Sequence, residues 1–477
     1  MVLSRLLVPV LVLLGLGATA QARPLFVDGF DPPAIAPLFP PQGNSFALPP
    51  GPTVDRLVWL MGELAAGQTT TPAEVEANFD PAWLAQTNVA QTQAFIQSLR
   101  TSWPDAVIRD VVMVTPVRAT VVISSPGGAL PWGFMNIGAR YSGERKIVLF
   151  GVSNYGGSVI YPADRTLTLP QAADRFATLS PGHGLLVGRI GANGQCTALA
   201  ERNAQVPRAT ASVFKIFSLG AVGRMIADGP LSAAEPMALT QALLAPGGTI
   251  NSEPLGTVFT VGEIATMMMG ISDNTATDHL HARVGRTRMN QSATWMGMAQ
   301  PTLITPFLNI SEQFHVFRSF AYATALSYVN GTEPFQEQFL VQQIEPLGRF
   351  VSGPFFHADL LTAGTWQATA FDVCRAFGAL RLLPKGSEAM TTVDAALGAG
   401  VAQPDVRGDF QRVWYKGGSL AQFAGQFHVL NHVWMLEDGG ADAYVVIALS
   451  NDPGGAIDPF AVQSVTGRLL ELVAERP

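Results

Sequence analysis

Lysine is nearly absent. Of the 29 lysines and arginines in the 477-residue chain only Lys146, Lys215, Lys385 and Lys416 are lysines, and arginine serves everywhere else. Each lysine is therefore a candidate for what arginine cannot do, which is to lose its proton near neutral pH. Charge of either sign is sparse, at 14% of residues, and the net charge of −7 comes with no basic block. That removes the electrostatic footprint of a nucleic-acid partner. Cysteine is limited to Cys196 and Cys374, and with seven histidines scattered along the chain no zinc-site spacing exists. The two cysteines read as buried free thiols, with a disulfide as the alternative. No Gly-x-Ser-x-Gly elbow, Walker loop or His-Glu-x-x-His occurs. His279 and His281, two apart on a predicted helix, point to different faces and do not make a metal pair. Gly182-His183-Gly184 reads as a turn without nucleotide-binding spacing. No cofactor and no metal are expected.

Long hydrophobic runs are confined to the start of the chain. Arg5 precedes an apolar stretch from Leu6 to Gly17, followed by small residues from Ala18 to Ala22. About twelve apolar residues are too few for a spanning helix and fit a secretory signal peptide over residues 1–22. No cysteine follows the run, so a lipoprotein anchor is not supported. The expectation is a periplasmic or secreted protein with no membrane span after signal cleavage. With 48% hydrophobic residues, a chain of this length can build two or three domains.

After the signal, residues 23–53 are a proline-rich lead-in, with Pro32-Pro33, Pro40-Pro41 and Pro49-Pro50-Gly51-Pro52 blocking regular structure. Residues 54–155 show helical patterns over 56–66 and 82–99, then strand-like runs over 106–114, 119–124 and 146–152. Helices followed by strands predict a small α+β domain with an antiparallel sheet, in which Trp132 and Phe134 serve packing. Gly156-Gly157 marks the boundary. The second domain, residues 165–477, opens with a helix at 170–179 and a strand at 184–191. A long apolar helix follows over 212–227. Strands at 410–415, 423–430 and 444–450 and an amphipathic helix over 457–476 close the chain. Strands at both ends with helices between them predict a mostly antiparallel sheet assembled from distant segments and covered by a helical insert.

Three motifs in this domain carry chemistry. Ser212 and Lys215 are three apart at the start of the long helix, which puts them on one face. A desolvated Lys can take the proton that keeps a Ser hydroxyl from being a nucleophile. Ser272-Asp273-Asn274 sits between two predicted helices and offers a hydroxyl to relay a proton and an amide to hold a substrate carbonyl or a Lys. Lys416-Gly417-Gly418-Ser419 lies on a predicted strand, where glycines admit a close approach and the Lys anchors negative charge.

In this order the three resemble the Ser-x-x-Lys, Ser-Asp-Asn and Lys-Thr-Gly signature of the class A β-lactamases and penicillin-binding-protein-type serine hydrolases. The approach Phe259-Thr260-Val261-Gly262-Glu263 to the second motif also looks like the family's. The resemblance spans about residues 165–477 and implies a β-lactamase-like α/β domain. It further implies Ser212 as acylated nucleophile, Lys215 as base, Ser272 as proton relay and Lys416 as the source of positive potential. Asn274, Gly418 and Ser419 would bind substrate, with the N–H groups of Ser212 and Ser419 forming the oxyanion hole. The implied partner is a small-molecule or peptide substrate, β-lactam-like or ester.

Two departures limit it. Gly417 stands where the family has Thr, and the interval from Ser272 to Lys416 is long, which points to an insertion near 311–360. Thr305, in Thr305-Pro306-Phe307-Leu308-Asn309, stands where class A enzymes carry a deacylating Glu, and Glu312 is expected to cap a helix rather than replace it. The layout of a small α+β domain before such a hydrolase resembles the mycobacterial LpqF group and the clavulanic-acid-cluster hydrolase, whose first domain is steroid-isomerase-like or cystatin-like. The resulting reading is an exported serine hydrolase, with an acyl-trapping penicillin-binding or sensor protein and a small-molecule esterase as alternatives.

Overall fold

The structure, a computed structural model, describes residues 37–43, 45–153, 159–351, 357–364 and 366–476. The predicted signal peptide and the Gly156-Gly157 boundary lie outside the described residues. Among those described, no helix is long and apolar enough to cross a membrane.

The first part of the described chain runs α1 (Pro52–Glu63), α2 (Pro72–Asn78), α3 (Pro81–Thr87) and α4 (Val89–Ser102), then β1 (Val107–Val114), β2 (Arg118–Ser124), β3 (Gly133–Ala139) and β4 (Ile147–Ser153). The strands form one antiparallel sheet in chain order. The single helix predicted over 82–99 is two helices, because Asn88 turns into the left-handed region at φ 46° and caps α4 through its side chain. Trp103, Phe79 and Leu60 are buried in the core of this part.

The second part has a five-stranded sheet whose strands come from both ends of the segment. They are β5 (Gly182–Ile190), β6 (Cys196–Arg202), β7 (Arg412–Ala421), β8 (Phe427–Glu437) and β9 (Ala443–Asn451), ordered β7-β8-β9-β5-β6 and antiparallel throughout. One face carries α5 (Leu169–Ala177) and the closing helix Pro459–Ala474, and the other carries the helices between β6 and β7. Of these, α6 (Lys215–Asp228) is the most enclosed, with every residue from Lys215 to Gly223 buried. Its packing is close enough that a Cβ at Gly220 would overlap the Met296 sulfur. The two sheet-bearing parts meet through backbone bonds from Val114 to Ala399 and from Val401 to Val112.

Two expectations need correction. The last hairpin is displaced from its predicted place: β7 runs on through Lys416–Ser419 to Ala421, and β8 begins at Phe427 and continues to Glu437. Its residues 433–436 are buried without a break, so the alternation that marks a half-exposed strand is missing. The cysteines are not free thiols. Cys196 of β6 and Cys374 of the helix Ala370–Arg381 form a disulfide, with Cα atoms 6.3 Å apart.

Candidate active site

Ser212 stands in a short 3-10 turn, Ala211–Phe214, immediately before α6. Ala211 adopts φ 44°, a conformation uncommon for a residue with a Cβ. The turn is held from several sides. Ala209, three residues earlier, is clamped by two buried asparagines of the sheet: Asn431 Nδ2 donates to Ala209 O at 2.9 Å, and the Asn451 side chain pairs with both Ala209 N (2.7 Å) and O (3.1 Å). Thr210 donates its N–H and its hydroxyl to Trp366 O, each at 2.9 Å. The Trp366 ring stacks on Phe214 with centroids 3.8 Å apart. The Ser212 hydroxyl is half-buried and has no hydrogen-bond partner among the described residues.

Lys215 is fully buried at the first turn of α6. Its Nζ donates to Ser272 O (2.7 Å), Ser272 Oγ (3.2 Å) and Asn274 Oδ1 (2.8 Å). Burial pushes its pKa down to about 7, while Asp273 and Asp278 partly oppose the shift. Lys416, on β7, donates to the same Ser272 Oγ at 3.0 Å and to Gly417 O at 2.7 Å. Burial and then the nearby Lys215 hold it well below its ordinary value. Of the four lysines, these two are buried, whereas Lys146 pairs with Glu144 at the surface and Lys385 is exposed.

Ser272 connects α7 (Val261–Gly270) to α8 (Asn274–Val284) and adopts φ 57°. Asp273 fixes that bend by capping α8 through Ala276 N (2.7 Å) and accepting from Ile250 N at 3.0 Å. Asn274 is spoken for at both ends of its amide, by Lys215 and by Pro246 O at 2.7 Å. One turn further, buried Asp278 accepts from Ile310 N (2.7 Å), Ser311 N (3.2 Å) and Arg349, and burial raises its pKa to about 6.

The strand β7 explains both glycines of the third motif. Gly418 faces the nucleophile turn: a Cβ there would run into Thr210 O and lie 3.0 Å from the Ser212 and Val213 nitrogens. Gly417, on the opposite face, lies under the Tyr415 hydroxyl, which a Cβ at 417 would overlap. That hydroxyl is hydrogen bonded to His432 Nδ1 at 2.8 Å, and His432 pairs with Gly417 across the strands. A Thr at 417 would have to displace this Tyr–His pair. Ser419 shares the Gly417 face and is exposed.

The structure thus brings Ser212, Lys215, Ser272, Asn274, Lys416 and Gly418 into one region through the contacts above. Glu312 is engaged elsewhere: it forms a capping box with Asn309 and pairs with Arg286 at 2.5 Å. His279 and His281 are buried on backbone groups, at Thr275 O and Thr240 N and at Phe307 O. Asn431, Asn451, Trp366 and Tyr415 were missed by sequence reasoning. A polar residue inside an apolar strand run was the available signal for the two asparagines.

A comparison with protein-family models matches residues 185–333 to the β-lactamase enzyme family. Over that stretch the chain is β-lactamase-like. The match contains Ser212, Lys215 and Ser272–Asn274 and ends before the third motif. Among solved structures, the chain is similar to a β-lactamase from Sphaerobacter thermophilus DSM 20745 (20% identity, 65% of this chain and 100% of that one, TM-score 0.44). It is also similar to a β-lactamase from Chitinophaga pinensis DSM 2588 (17%, 64% and 97%, TM-score 0.42) and to PBP-A (14%, 65% and 97%, TM-score 0.41). No curated protein sequence matches it.

Proposed function

We propose that the chain is an exported serine hydrolase that is acylated at Ser212 by an amide or ester, of the β-lactam or cell-wall-peptide class. The observation that carries this reading is the placement of one hydroxyl, Ser272 Oγ, between two buried amines at 3.2 and 3.0 Å, Lys215 at the first turn of the Ser212 helix and Lys416 on β7. In the proposed reaction the Ser212 oxygen bonds to the acyl carbon while its proton passes to neutral Lys215. The leaving group departs with the Ser272 proton, which is replaced through the lysines. The N–H groups of Ser212 and Ser419 receive the oxyanion, and Gly418 allows their approach. Asn274 acts in this scheme by holding Lys215 as much as by touching substrate.

Residues 165–477 form the hydrolase domain in this reading, and 54–155 a separate α+β domain of steroid-isomerase-like or cystatin-like type. Export by a signal peptide agrees with the Cys196–Cys374 disulfide, since such bonds persist in oxidising compartments.

One observation favours a slower-turnover alternative, an acyl-trapping protein. Thr305 has no carboxylate, and Glu312 is tied to Arg286 and its cap, so neither supplies a free base for water. Intact-mass spectrometry after exposure to a fluorescent penicillin and to a p-nitrophenyl ester tests both readings, with Ser212→Ala as control. An adduct that requires Ser212 and decays within minutes supports the hydrolase, and one that persists supports trapping. Absence of any adduct overturns both.

A further inference from the structure

The β1–β2 hairpin of the first part of the chain does not end in solvent. Thr115 closes its tip by donating its N–H (2.7 Å) and hydroxyl (3.0 Å) to Arg118 O, and it accepts from Arg118 N at 3.0 Å. Thr53 of α1 donates to Pro116 O at 2.9 Å, so the tip is fixed from its own side. Val117 is buried in the helical core of the second part instead of its own, and Ile271 packs against the same core. Gly270, the last residue of α7, stands where the parts meet. A Cβ there would lie 2.6 Å from Thr115 Cγ2 and 2.9 Å from Ala399 Cβ. Two residues later comes Ser272 with its φ of 57°, a conformation that a residue with a Cβ keeps only where its surroundings hold it.

A second support reaches the same bend from the β3–β4 connection. Buried Glu253 accepts from Tyr141 N (3.0 Å), Ser142 N (3.2 Å) and Ser142 Oγ (2.8 Å). Arg140 donates to Ser252 O at 2.5 Å, and the Tyr141 hydroxyl donates to Glu263 of α7 at 3.0 Å. Glu253 N closes the turn Thr249–Ser252 on Ile250 O at 3.0 Å, and Ile250 N in turn donates to Asp273 Oδ2 at 3.0 Å. Arg118 of the hairpin is near enough to Asp273 for that carboxylate to offset part of its desolvation. Both supports thus converge on Ser272 and Asp273 from the side of the first part.

We propose that the first part of the chain is a positioning element of the active site, in which Val117 and the clasp of Tyr141 and Ser142 on Glu253 hold the Ser272 bend against Lys215. The inference rests on acylation at Ser212 as proposed above. These residues touch none of the reacting groups. They act through Ser272, whose carbonyl and hydroxyl are both partners of the Lys215 amine.

The test uses Val117→Ala and Glu253→Gln in the full chain. Ile96→Ala, in the core of the first part on α4, is the control for lost stability alone. Acylation of Ser212 by a p-nitrophenyl ester, followed below the melting range by p-nitrophenol release and intact mass, should slow about tenfold in each of the two variants, as misplacement of a catalytic group does. It should be unchanged in Ile96→Ala. The pH midpoint near 7 should move upward in both, because a loosened bend admits water and relieves the burial that lowers the Lys215 pKa. Loss of the Glu253 charge by itself would move it down. The charged groups that face Lys215, namely Lys416 on β7 and Asp273 and Asp278 at and within α8, are the same in every variant. Native rates or an unmoved midpoint in both variants overturn the proposal, as does an equal loss in Ile96→Ala. If either variant fails to fold, Gly270→Ala tests the same contact. Its loss of rate should be recovered in part by Thr115→Ser, which removes the colliding Cγ2 and keeps the hydroxyl, and no recovery overturns the proposal. If the ester does not acylate native Ser212, the hydrolase reading has failed and hydrogen exchange still decides the positioning role. The Ile250 and Ala276 amides, both held by Asp273, should then exchange about tenfold faster in Val117→Ala and Glu253→Gln than in the native chain, and equal exchange overturns it.

Discussion

A buried ammonium with three acceptors and no carboxylate in direct contact is poised between its two protonation states, and Lys215 is such a group. Its pKa of about 7, down from 10.5, means that the neutral amine needed to accept the Ser212 proton forms as pH rises through about 7. Acylation of Ser212 should climb about tenfold per pH unit below that value and level off above it. Quenched-flow mass spectrometry between pH 5 and 9 measures this, and a flat profile would contradict the assignment of Lys215 as base. Gly417 gives a second residue-level test. A side chain there meets the Tyr415 hydroxyl, so Gly417→Thr should destabilise the chain by about 1–3 kcal/mol in urea titration, as overpacking of a formed core does. Adding Tyr415→Phe removes the colliding oxygen and should recover most of the loss. No recovery would mean that the third motif departs from Thr for some other reason.

At the level of elements, the nucleophile turn owes its position to the strand segment before it. Asn431 and Asn451 hold Ala209 from neighbouring strands, and Asn431 Oδ1 also accepts from Ser450 N at 2.9 Å. Asn431→Ala removes the acceptor of Ser450 N and leaves Ala209 O held by Asn451 alone, at about 1–3 kcal/mol. It should slow acylation at least tenfold while the pH midpoint near 7 is unchanged, because Lys215 and its partners are untouched. A shifted midpoint would show that Asn431 acts through the lysine instead. The motifs that bear on this turn were legible because their chemistry is local: Ser212 and Lys215 are three residues apart, and Ser272–Asn274 are contiguous. That Ser272 Oγ lies between two lysines depends on long-range packing, which spacing does not encode. The predicted strand over 410–415 stops one residue before the third motif, because glycines usually mark a turn. The motif is mid-strand because Lys416, Gly417 and Gly418 pair in register with Val433, His432 and Asn431. The hairpin bend falls instead between Ala421 and Phe427, where Gly425 takes φ 84°.

Across the whole molecule the two edges of the large sheet serve different ends. Strand β7 carries Lys416 and Gly418 at one edge, and β6 carries Cys196 at the other, four strand spacings or about 19 Å away. No reading of the sequence could decide whether Cys196 meets Cys374, since 178 residues separate them and only the fold sets the distance. The bridge fastens the outermost strand to the helix Ala370–Arg381, and its long loop removes much freedom from the unfolded chain, up to about 5 kcal/mol in the chain-entropy limit. A Cys196→Ala, Cys374→Ala double variant should therefore melt several degrees lower by calorimetry. Its Ser212 acylation rate below the melting range should match that of the native chain, because the strand that loses its anchor is the one farthest from β7 in the sheet. A variant that melts normally would show the bridge to be energetically idle. One that folds but acylates slowly would show that the far edge of the sheet is coupled to the nucleophile turn through β5, β9 and β8, which Asn451 on β9 and Asn431 on β8 touch directly.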